Sequence, residues 1–317
     1  LKEKRTRHRT LNKAPRPRAC RMGSITKAVI PAAGLGTRML PATKSQPKEM
    51  LPVGRKPCIQ YVVEEMQSCG ITDVLIVTGS TKRAIEDHFD ENLLLRAELM
   101  AGNKTTELDK LSEIDAIKLR ICYVRQRLPT GMADAVELAK GFVGDEPFVL
   151  ALGDTIIHSE SKTPMLSRLI ASHLKTAPKA TIAAKRVSGK DVSRYGVLAV
   201  EPIGDALYRV KDIVEKPAPE KAPSNLTISA RYVLEPEIFD AIEKTPKRRG
   251  EKLFTDCLMT LSRSGPVLAL ENRPEDAVYD IGSPELYARA FVAFALKDPA
   301  MAAAVRDLIS ELKDAKR

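Results

Sequence analysis

At 317 residues the chain is long enough to build one large domain with a substantial core. Hydrophobic residues make up 44% and charged residues 29%, an ordinary globular balance; aromatics at 4% with no Trp argue against stacking platforms for single-stranded nucleic acid, and no apolar run is long enough for a membrane span. The net charge of +10 is concentrated in residues 1–22, where nine Lys/Arg face one acid, Glu3, so the rest of the chain carries only +2 and has no case as a nucleic-acid-binding body.

Residues 1–24 read as a basic tail, disordered by default because they have no hydrophobic period. They lack the apolar core of a secretory signal, Met22 offers a natural start, and nonspecific contact with nucleic acid is the most that such charge implies. Five scattered cysteines without a C-x-x-C pair argue against a disulfide framework or zinc site and suit a reducing cytoplasm.

From Lys27 onward strands and helices alternate. Ala28–Ala32 is a short apolar run ending in a glycine-containing loop. Ile59–Cys69 is predicted helical, stopped by Gly70; Asp73–Val77 is a buried strand, and Lys82–Phe89 a helix. A charged helical segment, Leu93–Leu111, precedes the strand Leu119–Val124. Met132–Lys140 is predicted helical, and Pro147–Leu152 is an unbroken apolar strand that stops at Gly153-Asp154. Such β-α repeats with continuous apolar strands predict an α/β fold with a mainly parallel central sheet, covered on both faces by helices. Ligands of open α/β sheets bind along the edge where the strands end. After Ala180 come shorter strands, Ala180–Arg186, Gly196–Val200, Leu207–Glu215 and Thr227–Leu234, expected as a small antiparallel excursion beside the main sheet. Helices return at Pro236–Glu243, Lys252–Arg263, Pro284–Leu296 and Met301–Lys313.

The loop Ala32-Ala33-Gly34-Leu35-Gly36-Thr37-Arg38 follows the first strand directly. Small residues there let backbone N–H groups approach an anion, as a phosphate cradle requires. It is neither a three-glycine dinucleotide fingerprint nor a Walker A loop. Arg38 instead sets a guanidinium fork beside the cradle, suited to phosphate oxygens. By itself such a loop is often only a turn. The next segment, Pro41 to Val53, carries three prolines and cannot be a regular helix or strand, so Lys44 and Lys48 sit in a long loop of the kind that is usually functional.

Here the sequence resembles the sugar-phosphate nucleotidyltransferases, through G-x-G-T-R, then P-K and a hydrophobic-Pro close. The string IPAAGLGTRMLPATKSQPKEMLPV is similar to bacterial UTP–glucose-1-phosphate uridylyltransferases in particular. VRQ, GDT, YGV, VEKP, RYVL and YDIG then follow in that family's order, from Lys27 to Leu296. The resemblance implies a Rossmann-like domain over residues 25–317, with a nucleotide half at about 25–155, a sugar-phosphate half at about 156–297 and a C-terminal helix at about 299–315. It implies nucleotidyl transfer from UTP to glucose 1-phosphate, giving UDP-glucose and pyrophosphate with Mg²⁺, in a cytoplasmic homo-oligomer.

The same resemblance assigns roles. Ala33, Gly34 and Gly36 would offer backbone to the nucleotide, with Arg38 on the pyrophosphate part and Lys48 on the reacting phosphate. Gln126 and Gly131 match base-reading positions. Asp154 and Asp280 match the metal aspartates; each could otherwise be a cap or turn residue. Gly196, Glu215 and Lys216 match sugar-phosphate positions, and Glu215–Lys216 could otherwise be a surface ion pair. Asn225 and Arg231 are weaker candidates. Three departures bear on specificity: Asp134 stands where the family has His, Ala230 where it has Gly, and Leu253 where it has Gln. They leave open dTTP or another sugar 1-phosphate as substrate. A catalytically silent nucleotide-sugar sensor is the alternative of a different kind.

Overall fold

The structure is a computed structural model and describes residues 24–248 and 250–314. The basic tail, apart from Ser24, lies outside the described residues. β1 (Lys27–Pro31) runs into the glycine turn. Three single 3-10 turns, Thr37–Met39, Ala42–Lys44 and Lys48–Met50, carry the proline-rich segment to a small hairpin of β2 (Pro52–Val53) and β3 (Lys56–Pro57). Then come α1 (Cys58–Ser68), β4 (Asp73–Thr78) and α2 (Arg83–Phe89). The charged segment expected as one helix is two, α3 (Leu93–Ala101) and α4 (Thr105–Asp115). Gly102 caps the first, and Asn103 turns the chain at a φ of 52°. β5 (Arg120–Arg125), α5 (Met132–Glu137), α6 (Lys140–Val143) and β6 (Phe148–Ala151) follow.

β7 (Thr155–Ser159) and α7 (Met165–Thr176) lead to β8 (Ala180–Arg186), β9 (Gly196–Gly204), β10 (Leu207–Glu215) and β11 (Leu226–Leu234). The chain closes with α8 (Ile238–Lys244), α9 (Phe254–Leu261), β12 (Val267–Glu271), β13 (Asp276–Asp280), α10 (Pro284–Lys297) and α11 (Pro299–Asp314). No described helix is long and apolar enough to cross a membrane.

The α/β class holds, but the central sheet is mixed and not mainly parallel. Its nine strands lie in the order β5-β4-β1-β6-β11-β8-β12-β10-β9. β5, β4, β1 and β6 are parallel, as are β8 and β12, whereas β11 pairs antiparallel with both β6 and β8. The later strands are therefore part of the main sheet and not an excursion beside it. The unbroken apolar runs report burial on both faces, which parallelism usually brings but does not own. β11 makes the point, with all nine residues buried in an antiparallel setting.

Alternate residues of the strands feed two cores. Val29, Leu75, Phe148 and Leu150 meet α5, α8 and α9 on one face, with Phe148 stacked on Phe239 at 5.7 Å between ring centroids. Ala28, Ile30, Val74, Ile76 and Val149 meet α1, α2 and α7 on the other. A third cluster, including Met39, Val53, Ile281 and Phe294, fixes the proline-rich loop against α10.

β11 is interrupted by a register shift between Ile228 and Tyr232, and within it Ala230 adopts a φ of 56°. The Ala230 carbonyl there accepts from the Leu152 N–H at 3.1 Å, tying the bulge to the strand end that carries Asp154. A side chain in this left-handed region is strained, which is the reason glycine suits the position. Ala230→Gly is expected to stabilise the fold by about 0.5–1 kcal/mol after the greater entropy of an unfolded glycine is set against the relieved strain. A denaturant-unfolding midpoint reads this directly; a lowered midpoint would contradict it.

Candidate active site

β6 ends at Ala151, and at Gly153, two residues on, the chain threads between the first strand and the proline-rich loop. A Cβ at Gly153 would lie 3.2 Å from Ile30 and 3.5 Å from Glu49, so the absence of a side chain lets the loop close over the strand end. Glu49 points inward and holds Lys82 at 2.9 Å, a pair almost wholly removed from solvent. Burial pushes the Glu49 carboxyl upward, while Lys82 and Lys48 pull it back. This internal clamp sets the backbone of the loop, and its neighbour Lys48 then reaches Asp154.

Lys48 Nζ donates to Asp154 Oδ2 in an ion pair at the bottom of the site. Burial opposes both charges, yet each holds the other: the Asp154 carboxyl stays below its ordinary range, and the Lys48 ammonium is raised above its own with help from Glu49 and Asp280. Asp280 arrives from the far end of the chain through the two-stranded ladder of β7 with β13, in which it stands opposite Thr155. Its Oδ1 accepts from the Gly282 N–H at 2.6 Å. Burial and then the charge of Asp154 push the Asp280 carboxyl up, while the Gly282 N–H, Lys185 and Lys48 pull it back. Among the described residues no group of three or more His, Cys, Asp and Glu is disposed to hold a metal. A pair of carboxylates that leaves the remaining positions to water and phosphate oxygens is a donor set that suits magnesium.

Above this pair opens a cleft of about 370 Å³. Arg38, Asp154, Asp280, Gly196, Glu215 and Lys216 all line it. Lys216 Nζ pairs with Glu215 Oε1 at 2.9 Å, and Lys216 takes a φ of 46° with its N–H donating to Tyr195 O at 3.0 Å. Gly196 leaves room on the opposite strand: a Cβ there would meet Ile228 at 3.0 Å and Glu215 Oε2 at 3.4 Å.

The nucleotide-side candidates Ala33, Gly34, Gly36, Gln126 and Gly131 do not line this cleft; Arg38 is where their loop reaches it. Gly36, at a φ of 66°, turns the loop so that its carbonyl accepts from Thr43 Oγ1 at 2.8 Å and its Cα faces the stem of Lys48. Gln126 is buried at the end of β5, with Nε2 donating to Gly131 O at 3.1 Å. The two candidate base readers are therefore in contact.

Several cleft residues were not singled out in the sequence: Lys185, Arg194, Tyr195, Glu251 and Thr255. Glu251 packs so closely on Gly131 that a Cβ there would fall 2.3 Å from its Oε1. Tyr195 is the first residue of the YGV string, and Glu251 and Thr255 stand two residues either side of Leu253, a signal that was present; Lys185 had none, being one Lys near a strand end. Arg231 turns away from the cleft. It is fully buried and donates to Glu65 Oε2 at 2.6 and 3.0 Å, to Thr155 O and to Ala230 O, so its part is structural. Asn225 accepts from Arg186 and does not line the cleft. Asp134 does not line it either; it lies near α9, among the charges that add to the burial raising the Cys257 thiol. Ala230 and Leu253 do line it.

A glycine turn after the first strand, a lysine seated on an aspartate, a second aspartate beside it and a cleft lined by both cations and carboxylates are the arrangement of an enzyme of phosphoryl-group chemistry. The chain belongs to the nucleotidyl transferase family, whose profile matches residues 27–296. It is 45% identical over 297 residues to a UTP–glucose-1-phosphate uridylyltransferase of Streptococcus pyogenes, covering 92% of this chain and 95% of the relative. A UTP-bound UGPase from Acinetobacter baumannii superposes with a TM-score of 0.82 at 36% identity, covering 91% of this chain and 99% of the other. A UDP-glucose pyrophosphorylase complexed with UDP-glucose gives a TM-score of 0.78 at 37% identity, covering 86% of this chain and 100% of the other.

Proposed function

We propose that this chain transfers the uridylyl group of UTP to glucose 1-phosphate, giving UDP-glucose and pyrophosphate, with Mg²⁺ held by Asp154 and Asp280. The observation that carries this reading is the Lys48–Asp154 pair beside Asp280, at the base of a cleft whose far wall bears Glu215 and Lys216. Both substrates are anions, so charge neutralisation and in-line placement are what the protein must supply. A phosphate oxygen of the sugar 1-phosphate attacks the α-phosphorus of UTP, the α–β anhydride bond breaks, and pyrophosphate departs. Lys48 neutralises the charge that builds on the α-phosphoryl group, and Arg38 that on the leaving pyrophosphate. The magnesium ion, when bound, supplies Lewis-acid charge neutralisation at phosphate oxygens.

Residues of about 25–155 serve the nucleotide and those of about 156–297 the sugar phosphate. Gln126 and the Gly131 N–H offer an acceptor and donors to the edge of uracil, which presents one N–H between two carbonyls. Lys216 meets the sugar phosphate, and Glu215 accepts from sugar hydroxyls.

Pyrophosphate release tests this, with UTP or dTTP offered against glucose, galactose and N-acetylglucosamine 1-phosphates. Selective turnover of UTP with glucose 1-phosphate is expected, abolished by EDTA and restored by Mg²⁺. Turnover of another pair would move the specificity, and UTP binding without any turnover would make the chain a silent sensor.

A further inference from the structure

We propose that Lys185 is a further substrate-binding residue of this site, donating together with Lys216 to the phosphate of the sugar 1-phosphate; this rests on the reading of the cleft given above. Lys185 is the penultimate residue of β8, where its carbonyl accepts from Thr227 Oγ1 at 3.0 Å, so its backbone is fixed. Its side chain lines the cleft together with Asp280, Tyr195, Glu215 and Lys216.

Of the other cations lining the cleft or its base, Arg38 belongs to the nucleotide side, and three pair with carboxylates. Lys48 pairs with Asp154, Lys216 with Glu215, and Arg194 with Asp191 at 3.8 Å. Lys185 forms no ion pair with any described carboxylate; what its ammonium has is the face of Tyr195, 4.4 Å from the ring centroid. A cation–π contact holds the charge in place while leaving the N–H donors free for an anion. Tyr195 also anchors the backbone of Lys216, whose N–H donates to the Tyr195 carbonyl, so one residue touches both lysines. Burial works against the charge of Lys185, and Asp280 and Asp191 work for it. A dianionic phosphate in the cleft can accept from the Lys185 ammonium without displacing a protein carboxylate from it.

Lys185→Met, which keeps the stem against Tyr195, tests the assignment in the full chain with Mg²⁺. The Michaelis constant for glucose 1-phosphate should rise about ten- to a hundredfold, the loss of one charge-assisted hydrogen bond. That for UTP should stay unchanged, and Lys185→Arg should recover most of the loss. An unchanged constant for glucose 1-phosphate, or an equal rise for both substrates, would overturn the proposal. If the wild-type chain turned over no pair, the reading of the reaction would fail by itself. Calorimetric affinity for UDP-glucose, whose β-phosphate comes from the sugar phosphate, would then decide the role of Lys185: a tenfold or greater loss in the Met variant supports it, and equal affinity ends it.

Discussion

Asp154→Asn should lower kcat by at least about a thousandfold while leaving UTP binding measurable. The substitution keeps the shape, removes the charge and turns one acceptor oxygen into an N–H donor. In the wild type that charge is secured against burial by Lys48, so Asp154 is ionised wherever the enzyme would work. Its sign follows from linkage. A carboxylate held low in the fold contributes stability above its unfolded value, which is lost as pH falls through the folded one. Lys48, held high, contributes fully below its unfolded value and loses that contribution as pH rises through the folded one. The pair therefore stands intact across the whole neutral range. The companion change Lys48→Met should cost about a hundred- to a thousandfold in kcat, the worth of one preorganised donor to developing charge. It also leaves Asp154 beside Asp280 with no protein cation between them. The melting temperature of that variant should accordingly gain more from added Mg²⁺ than the wild type does. Normal turnover by either variant would remove the pair from the chemistry.

Arg231→Met should destabilise the fold by about 3–5 kcal/mol, because it strands the carboxylate of Glu65 in the interior without a counter-charge. The Arg231 side chain is 0% exposed and that of Glu65 11%. Burial already pushes the Glu65 carboxyl up, with Arg231 opposing it. The double change Glu65→Leu with Arg231→Met should recover much of the loss, since an apolar pair has no charge to bury. Denaturant unfolding of the three variants checks this. The folded fraction of Arg231→Met should keep its Michaelis constant for glucose 1-phosphate; a large rise would return Arg231 to the substrate site.

The legible parts of the fold are those governed by local pattern. Leu207–Glu215 and Ala180–Arg186 stand as strands within their expected bounds, and the helix at Ile59–Cys69 shifts by one residue, because apolar periodicity and Gly70 are local signals. α7 was missed although Met165, Leu166, Leu169 and His173 form one buried stripe; a single short stripe between polar runs is weak against the alternatives. β12 was missed because Val267–Glu271 is a five-residue run whose role comes only from pairing with β8 and β10.

The glycine turn, the lysine of the proline-rich loop and the two aspartates were legible only through the order of the family's motifs, since each taken singly could be an ordinary turn, loop or cap residue. Strand direction needed the folded chain: an apolar run is the same whether its neighbours run with it or against it, and only long-range hydrogen bonding placed β11 antiparallel at the centre of the sheet. Arg231 shows the same limit at a single residue, because one position along β11 separates a side chain in the cleft from one buried against α1, and the bulge at Ala230 sets which it is. The meeting of Asp154 with Asp280 was likewise decided by the β7–β13 ladder, which joins residues more than a hundred positions apart that no local signal connects.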